Sequence, residues 1–330
     1  MLRALLTSLL LGLVVIVLIV AGAGLWGYGQ YTRPGPAKGE VTVVLERGAG
    51  VQQIAARLAE AGVIADPDVF TIAVRLTGRG RGLQAGEYRF QPQDSMASVV
   101  ARLRAGETVV RRLTVPEGLT SAEVLALVGA AEGLAGELGP PPPEGALLPE
   151  TYHYGYGDTR AGLIDRMRRA MRDALSEIWA KRLPDLPLGS PEEAAVLASL
   201  VEKETAVSSE RARIASVFTN RLRRDMRLQS DPTVVFALTQ GQGRLERPLR
   251  KADLEVDSPY NTYLVKGLPP APIANPGRAA LLAAVRPLAT DEFYFVADGS
   301  GGHAFARTFK EHQANVRRWR QVQAEQRKTR

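Results

Sequence analysis

Residues Ala4 to Trp26 form an almost unbroken apolar run in which Thr7 and Ser8 are the clearly polar members. As a helix those positions extend about 34 Å, enough to cross a bilayer. Ala21-Gly22-Ala23 has the small-residue pattern of a cleavage site. Signal-peptide cores, however, usually run only about 7–15 residues, so the length favours an uncleaved anchor. Arg3 and the terminal amine stand before the run, which favours an amino terminus inside the cell. The pattern predicts a cytoplasmic tip and transmembrane anchor over residues 1–28, with the rest of the chain extracytoplasmic. Chemistry that needs ATP is disfavoured in that compartment.

A short linker with Pro34 and Pro36 covers residues 29–38. Beyond it the pattern alternates between strand and helix periods. Val41 to Leu45 is a β-branched run that suits a strand. Val51, Ile54, Ala55 and Leu58 recur at helical spacing, and Ala61-Gly62 ends that helix. Asp66-Pro67 opens a second helix, Gln84 to Phe90 alternates like a strand, and Ser95 is placed to cap a third helix. Glu46-Arg47-Gly48 and Pro116-Glu117-Gly118 each follow a strand-like run and lead into a helix, a weak internal echo. Gly139 and four prolines after it make a stiff, extended segment. The composition is then helical to about Leu238, rich in glycine and proline from Tyr260 to Gly277, strand-like at Phe293 to Val296, and helical and basic from Phe309 to Gln326. The expectation is an α+β protein: one N-terminal transmembrane helix, a small α/β subdomain over residues 39–110, and a mixed, largely helical domain over residues 111–330.

Composition narrows the chemistry. The chain has no cysteine, which excludes disulfides, a thiol nucleophile and thiolate metal sites. His153, His303 and His312 are the only histidines, so a three-histidine metal site would need all of them, and no metal is expected. The net charge is +7, but from Arg307 onward eight Lys and Arg face two Asp and Glu. Most of the excess is therefore one tail, read as a solvated helix face, with contact to anionic lipid or wall polymer as the minor alternative. No nucleic-acid partner is expected, because no aromatic-basic stripe interleaves elsewhere. No phosphate loop exists, and Gly78-Arg79-Gly80-Arg81-Gly82 lacks the strand and spacing of a dinucleotide fingerprint. Gly299-Ser300-Gly301-Gly302 lacks the context of a hydrolase elbow, and His303 reads as a loop hydrogen-bonder.

Candidate chemistry centres on the helix after Ser190. Ser190 suits an N-cap, Pro191 the first turn, and Glu193 a capping box. Counting about 100° per residue, Glu204 falls among Leu197, Leu200 and Val201, whereas Glu202 falls well outside that face. Burial would raise the pKa of Glu204 and keep it protonated near neutral pH, as a general acid requires. A frayed, solvated end or an arginine partner remains the bland alternative. On the next helix Asn220 and Arg221 sit among Ile214, Val217, Phe218 and Leu222. In Leu228-Gln229-Ser230-Asp231-Pro232-Thr233, Asp231 is the candidate cap of a helix starting near Pro232. Tyr260, Asn261 and Tyr263 lie in a polar-aromatic loop suited to stacking on and hydrogen-bonding sugars.

Seven strings then form a pattern: Leu148-Pro149-Glu150-Thr151-Tyr152, Ala198 to Thr205, Ser216 to Leu222, Leu228 to Thr233, Tyr260 to Tyr263, Gly267-Leu268-Pro269-Pro270, and Phe293 to Asp298. In order and spacing the chain resembles the endolytic murein transglycosylase, or YceG-like, family over nearly its whole length. Ala271, where the family often has glycine, and the four-proline run are departures. The resemblance implies a single-pass inner-membrane enzyme with a LysM-like peptidoglycan-binding subdomain at 39–110 and a catalytic domain at 111–330. It implies internal cleavage of the MurNAc–GlcNAc bond in nascent glycan strands, leaving 1,6-anhydro-MurNAc ends, near the peptidoglycan synthases. It implies no cofactor. It points to Glu204 as the catalytic acid and base, with Glu202 as runner-up. Tyr260, Asn261, Tyr263, Gln229, Asp231 and Asn220 are the candidates for substrate binding or for lining the cleft. A non-catalytic wall-binding scaffold, a two-carboxylate muramidase pairing Glu204 with Asp231, and, more distantly, a membrane-anchored peptidase are the alternatives.

Overall fold

The computed structural model describes residues 2–80 and 82–328. Met1 of the tip, Arg81 of the Gly-Arg-Gly-Arg-Gly run, and Thr329 and Arg330 of the basic tail lie outside the described residues. The chain divides into two units, Met1–Arg111 with His153–Gly157, and Arg112–Tyr152 with Asp158–Arg330.

The first unit holds α1 (Leu2–Thr32), β1 (Val41–Leu45), α2 (Val51–Glu60), α3 (Pro67–Leu76), β2 (Gly86–Phe90) and α4 (Met96–Ala105). Over Leu6–Thr32 helix α1 is long and apolar enough to cross a membrane, and none of its most apolar stretch is buried against protein. Its last turn does pack: Tyr31 is buried, and Arg79 Nη1 donates to its hydroxyl at 3.4 Å. β1 and β2 pair antiparallel, with Val41 opposite Phe90 and Leu45 opposite Gly86. Strand alternation sends Val43, Leu45, Tyr88 and Phe90 to one core with Leu58, Phe70, Val99 and Leu103. Burying each such side chain contributes roughly 1.5–3 kcal/mol relative to leaving it in water. Asp66 caps α3 by accepting from the amides of Asp68 and Val69, and Ser95 caps α4 through Ser98 N.

The second unit is built mainly of helices: α5 (Ser121–Ala130), α6 (Arg160–Trp179), α7 (Pro191–Glu204), α8 (Arg211–Arg223), α9 (Asp231–Thr239), α10 (Arg278–Val285) and α11 (Phe309–Lys328). Short strands β3 (Arg111–Thr114) and β4 (Thr151–Tyr154) also occur along the chain, and within the second unit β5 (Tyr294–Ala297) pairs antiparallel with β6 (His303–Ala306). Helix α7 is the centre of the core. Every residue from Ala194 to Val201 is buried, and α6, α8, α9 and α10 all pack on it. An apolar stripe on one face would have made α7 a surface helix; being covered on all sides makes it a core helix.

Its start differs in one detail from the expected capping box. Ser190 Oγ accepts from Glu193 N at 3.3 Å, but the Glu193 carboxylate turns to Gly189 N, at 2.6 Å, one residue before the cap. Two buried polar side chains pin the glycine- and proline-rich segment. Ser199 Oγ accepts from Ile273 N at 3.0 Å, and Asn275 Oδ1 accepts from Leu147 N at 2.9 Å. Non-glycine residues with positive φ are Gln93, Asp225, Gln229 and Gln240 among those described, so no glycine is required at Ala271.

Candidate active site

Helix α7 terminates at Glu204, which is partly accessible and lines a cavity. Desolvation pushes its carboxyl up to about 7. A hydrogen bond from Ser230 and the charges of His303 and Arg221 oppose that rise, while Asp231 adds to it. The helix end contributes in the same upward sense, because unpaired carbonyls there disfavour a carboxylate. Ser230 Oγ donates to Glu204 Oε1 at 2.5 Å, and Oε2 has no partner among the described residues. With Oε1 accepting from Ser230, Oε2 is the oxygen left for a proton and a ligand.

Ser230 is held in place by its backbone. Its amide donates to Thr262 Oγ1 at 3.0 Å, and its carbonyl accepts from Thr233 Oγ1 at 2.7 Å. It occupies the N-cap position of α9, yet its hydroxyl makes no cap bond. Asp231, the cap expected from sequence, is instead the first residue of α9 and accepts from the Tyr263 hydroxyl at 2.6 Å. Burial first, and then that bond and charge, push the Tyr263 phenol up. Gln229 has φ of 51°, in the left-handed region, and its amide donates to Thr262 O at 3.1 Å.

The cavity has a volume of about 290 Å³ and is lined by Glu204, Arg221, Gln229, Asp231, Tyr263 and His303 among others. Glu204 also borders a second hollow of about 410 Å³, together with Glu202, Lys203, Arg211 and Arg244. Two hollows therefore border one residue, Glu204. His303 is fixed by Glu210, which accepts from its amide at 2.9 Å and contacts Nδ1 at 2.7 Å.

Four of the sequence candidates thus come together: Glu204, Gln229, Asp231 and Tyr263. Glu202 does not lie outside the buried surface as its helical angle suggested; its side chain is 5% exposed. Arg211 Nη2 bonds it at 3.1 Å, and its other oxygen accepts from Gly277 N at 2.9 Å. Asn261 is fully buried and spends its amide on Leu254 O and Val256 O. Asn220 likewise donates to Thr290 O and Glu292 O, which ties α8 to the segment before β5. Tyr260 packs on Phe236, ring centroids 4.8 Å apart. Ser230, Arg221 and His303 are residues that sequence reasoning did not assign to the site. The serine lies inside the string Leu228 to Thr233, but a hydroxyl leaving its cap position for a carboxyl 26 residues away carries no local signal. Among the described residues no cluster of three potential metal ligands occurs.

Comparison with known proteins places the chain in a family. Residues 43–318 match the YceG-like family. An endolytic murein transglycosylase of Bacillus subtilis is 31% identical over 89% of this chain and 89% of its own length. One from Streptococcus pneumoniae is 31% identical over 92% of this chain, which spans 63% of that longer relative. A crystal structure of a putative yceG-like protein, lmo1499 of Listeria monocytogenes, superposes with a TM-score of 0.51 at 30% identity. It covers 84% of this chain and 99% of that one. With the family match running from β1 into α11, the chain belongs to the YceG-like family.

Proposed function

We propose that this protein is a lytic transglycosylase that cleaves peptidoglycan glycan strands internally at the MurNAc–GlcNAc bond. The observation that carries the reading is Glu204: a carboxyl held near pKa 7, with one oxygen bound by Ser230 and the other open to a cavity. Protonated Glu204 gives its proton to the glycosidic oxygen as the C1–O bond breaks. The carboxylate then takes the proton of the muramoyl C6 hydroxyl as that oxygen bonds to C1, closing the 1,6-anhydro ring. The proton returns to its donor and no water is consumed. Intramolecular attack supplies a high effective concentration of nucleophile, so a single carboxyl suffices. Gln229, Asp231 and Tyr263 are the proposed cleft contacts. Asn261 and Tyr260 brace the loop that carries Tyr263, and Asn220 holds the segment before β5. The meeting of two hollows at Glu204 suits a polymer passing on both sides of the scissile bond.

In the same reading α1 anchors the protein in the inner membrane with the rest outside the cytoplasm, close to the peptidoglycan synthases. The subdomain at 39–110 binds glycan in the manner of a LysM module. The first unit offers a hollow of about 670 Å³ bordered by Glu46, Gln53, Arg57 and Tyr156 for that purpose.

A second reading, a two-carboxylate muramidase, is favoured by one observation: Asp231 lines the same cavity as Glu204. Product analysis separates the two. The full-length protein in detergent, incubated with purified peptidoglycan, should release muropeptides with anhydro ends, lighter by one water than hydrolysed ends. Reducing ends would transfer the assignment to the muramidase. Binding without cleavage would leave a scaffold.

A further inference from the structure

Arg221 is 7% exposed, one of the most buried charged residues of the second unit. Other enclosed arginines have carboxylate partners: Arg102 with Asp94, Arg111 with Glu87, Arg211 with Glu117 and Glu202. Arg221 has none among the described residues. Three backbone carbonyls hold it instead. Nε donates to Phe293 O at 2.6 Å, and Nη1 donates to Leu228 O at 2.6 Å and Arg227 O at 3.2 Å. The guanidinium lies 5.3 Å from the Tyr294 ring centroid. Its remaining nitrogen, Nη2, has no hydrogen-bond partner among the described residues, and Arg221 lines the cavity that contains Glu204.

An arginine cannot shed its charge by losing a proton, so enclosing one without an anion is costly. Its presence there calls for an anion that forms later. The site supplies one. When Glu204 gives up its proton, a carboxylate appears at the end of α7, in a place that disfavours it. We infer that Arg221 is a positioning residue: a preinstalled counter-charge for the carboxylate Glu204 becomes during the reaction. Nothing has to move to provide it, because the three carbonyls fix the guanidinium beforehand.

The inference rests on Glu204 being the acid, and its test keeps the two ideas apart. The groups facing Glu204 are Ser230 and Asp231 at the start of α9, Tyr263 in its loop, His303 on β6 and Arg221 on α8. Those facing Arg221 are Tyr294 on β5, Tyr263, Glu204 and, on α11, His312. Loss of positive charge at Arg221 leaves Asp231 and desolvation less opposed, so Glu204 holds its proton to higher pH.

The experiment measures anhydro-product formation by the full-length protein across pH for wild type, Arg221→Met and Arg221→Lys, with thermal melts of each. The expected result is that Arg221→Met lowers the plateau rate at least tenfold and moves the alkaline limb up by about one unit. Arg221→Lys keeps the limb within about half a unit of wild type. A folded Arg221→Met with an unmoved limb overturns the inference. If Arg221→Met does not fold, Arg221→Lys carries the test: a limb displaced by a full unit despite the retained charge overturns it as well. Pairing each variant with Glu204→Gln separates the two claims. If Glu204→Gln retains turnover, the acid assignment fails. The stability gained by Glu204→Gln, followed across pH, still reports whether Arg221 acts on the Glu204 charge. That pH dependence should be the same with arginine or lysine at position 221 and should move to higher pH with Arg221→Met. An unmoved dependence in the Arg221→Met protein sinks the inference.

Discussion

Ser230 stands at the N-cap of α9, yet gives its hydroxyl to Glu204 Oε1 at 2.5 Å instead of to its own helix. A cap side chain normally stabilises its helix by about 1 kcal/mol. Here the hydroxyl bonds the Glu204 carboxyl instead. Ser230→Ala should therefore cost about 1 kcal/mol of stability or less, since no cap bond is lost. It should remove at least tenfold in kcat/KM and shift the alkaline limb of the rate profile upward. Calorimetry beside a pH–rate series checks both halves.

Glu204→Gln should abolish formation of anhydro ends and also stabilise the protein at alkaline pH. The folded value of about 7 lies above the ordinary 4.5. Below 4.5 both folded and unfolded chains carry the proton. Between the two values only the unfolded chain ionises, so stability falls as pH rises through that window and stays lost above it. The glutamine variant escapes the loss. Its advantage should be near zero at about pH 4 and grow to about 3 kcal/mol by about pH 8. Melting curves at the two pH values are the measurement, and an equal gap at both would contradict the burial argument.

Glu202→Gln should be a folding variant. It takes one carboxylate from the Glu117–Arg211–Glu202 cluster, where Arg211 Nη2 bonds both acids at 3.1 Å. Weakening an enclosed ion cluster should cost about 1–3 kcal/mol. The products should keep their anhydro ends. A variant of normal stability that makes no anhydro ends would instead move the acid to Glu202.

Gln229→Gly tests a different kind of trade. With φ of 51°, Gln229 holds a backbone state that glycine adopts at little cost. The glycine variant should match or exceed wild-type stability, by about 0.5–1 kcal/mol, while KM for glycan strands rises. Denaturant titration and steady-state kinetics on the same preparation read the two effects.

Much of the architecture could be read from local pattern because its causes are local. Asp66 before Pro67, Ser95 before an apolar run, and Ser190 before Pro191 mark helix starts through bonds that span three residues or fewer. The same locality explains the placement of Glu204 beside Leu200 and Val201. It also sets the limit. Helical angle puts Glu202 outside the apolar face but carries no information on Arg211 or Gly277, which cover it from other segments. Asp231 before proline reads as a cap, whereas Tyr263, distant in sequence, claims its carboxylate. Asn261 and Asn220 look like sugar ligands by residue type, but backbone carbonyls occupy their amides. Arg221 and His303 acquire meaning only when α8 and β6 border the same cavity.

The burial of α7 from Ala194 to Val201 has a consequence for how the enzyme fails. Its terminal residue is Glu204, the proposed acid, and four helices pack around the stalk that carries it. Amide hydrogens in its buried stretch, Ala194 to Val201, should exchange with solvent only when that whole assembly opens. Heat therefore has no route to a folded protein with a displaced acid. Catalysis and the slowest-exchanging amides should disappear together, in one cooperative step.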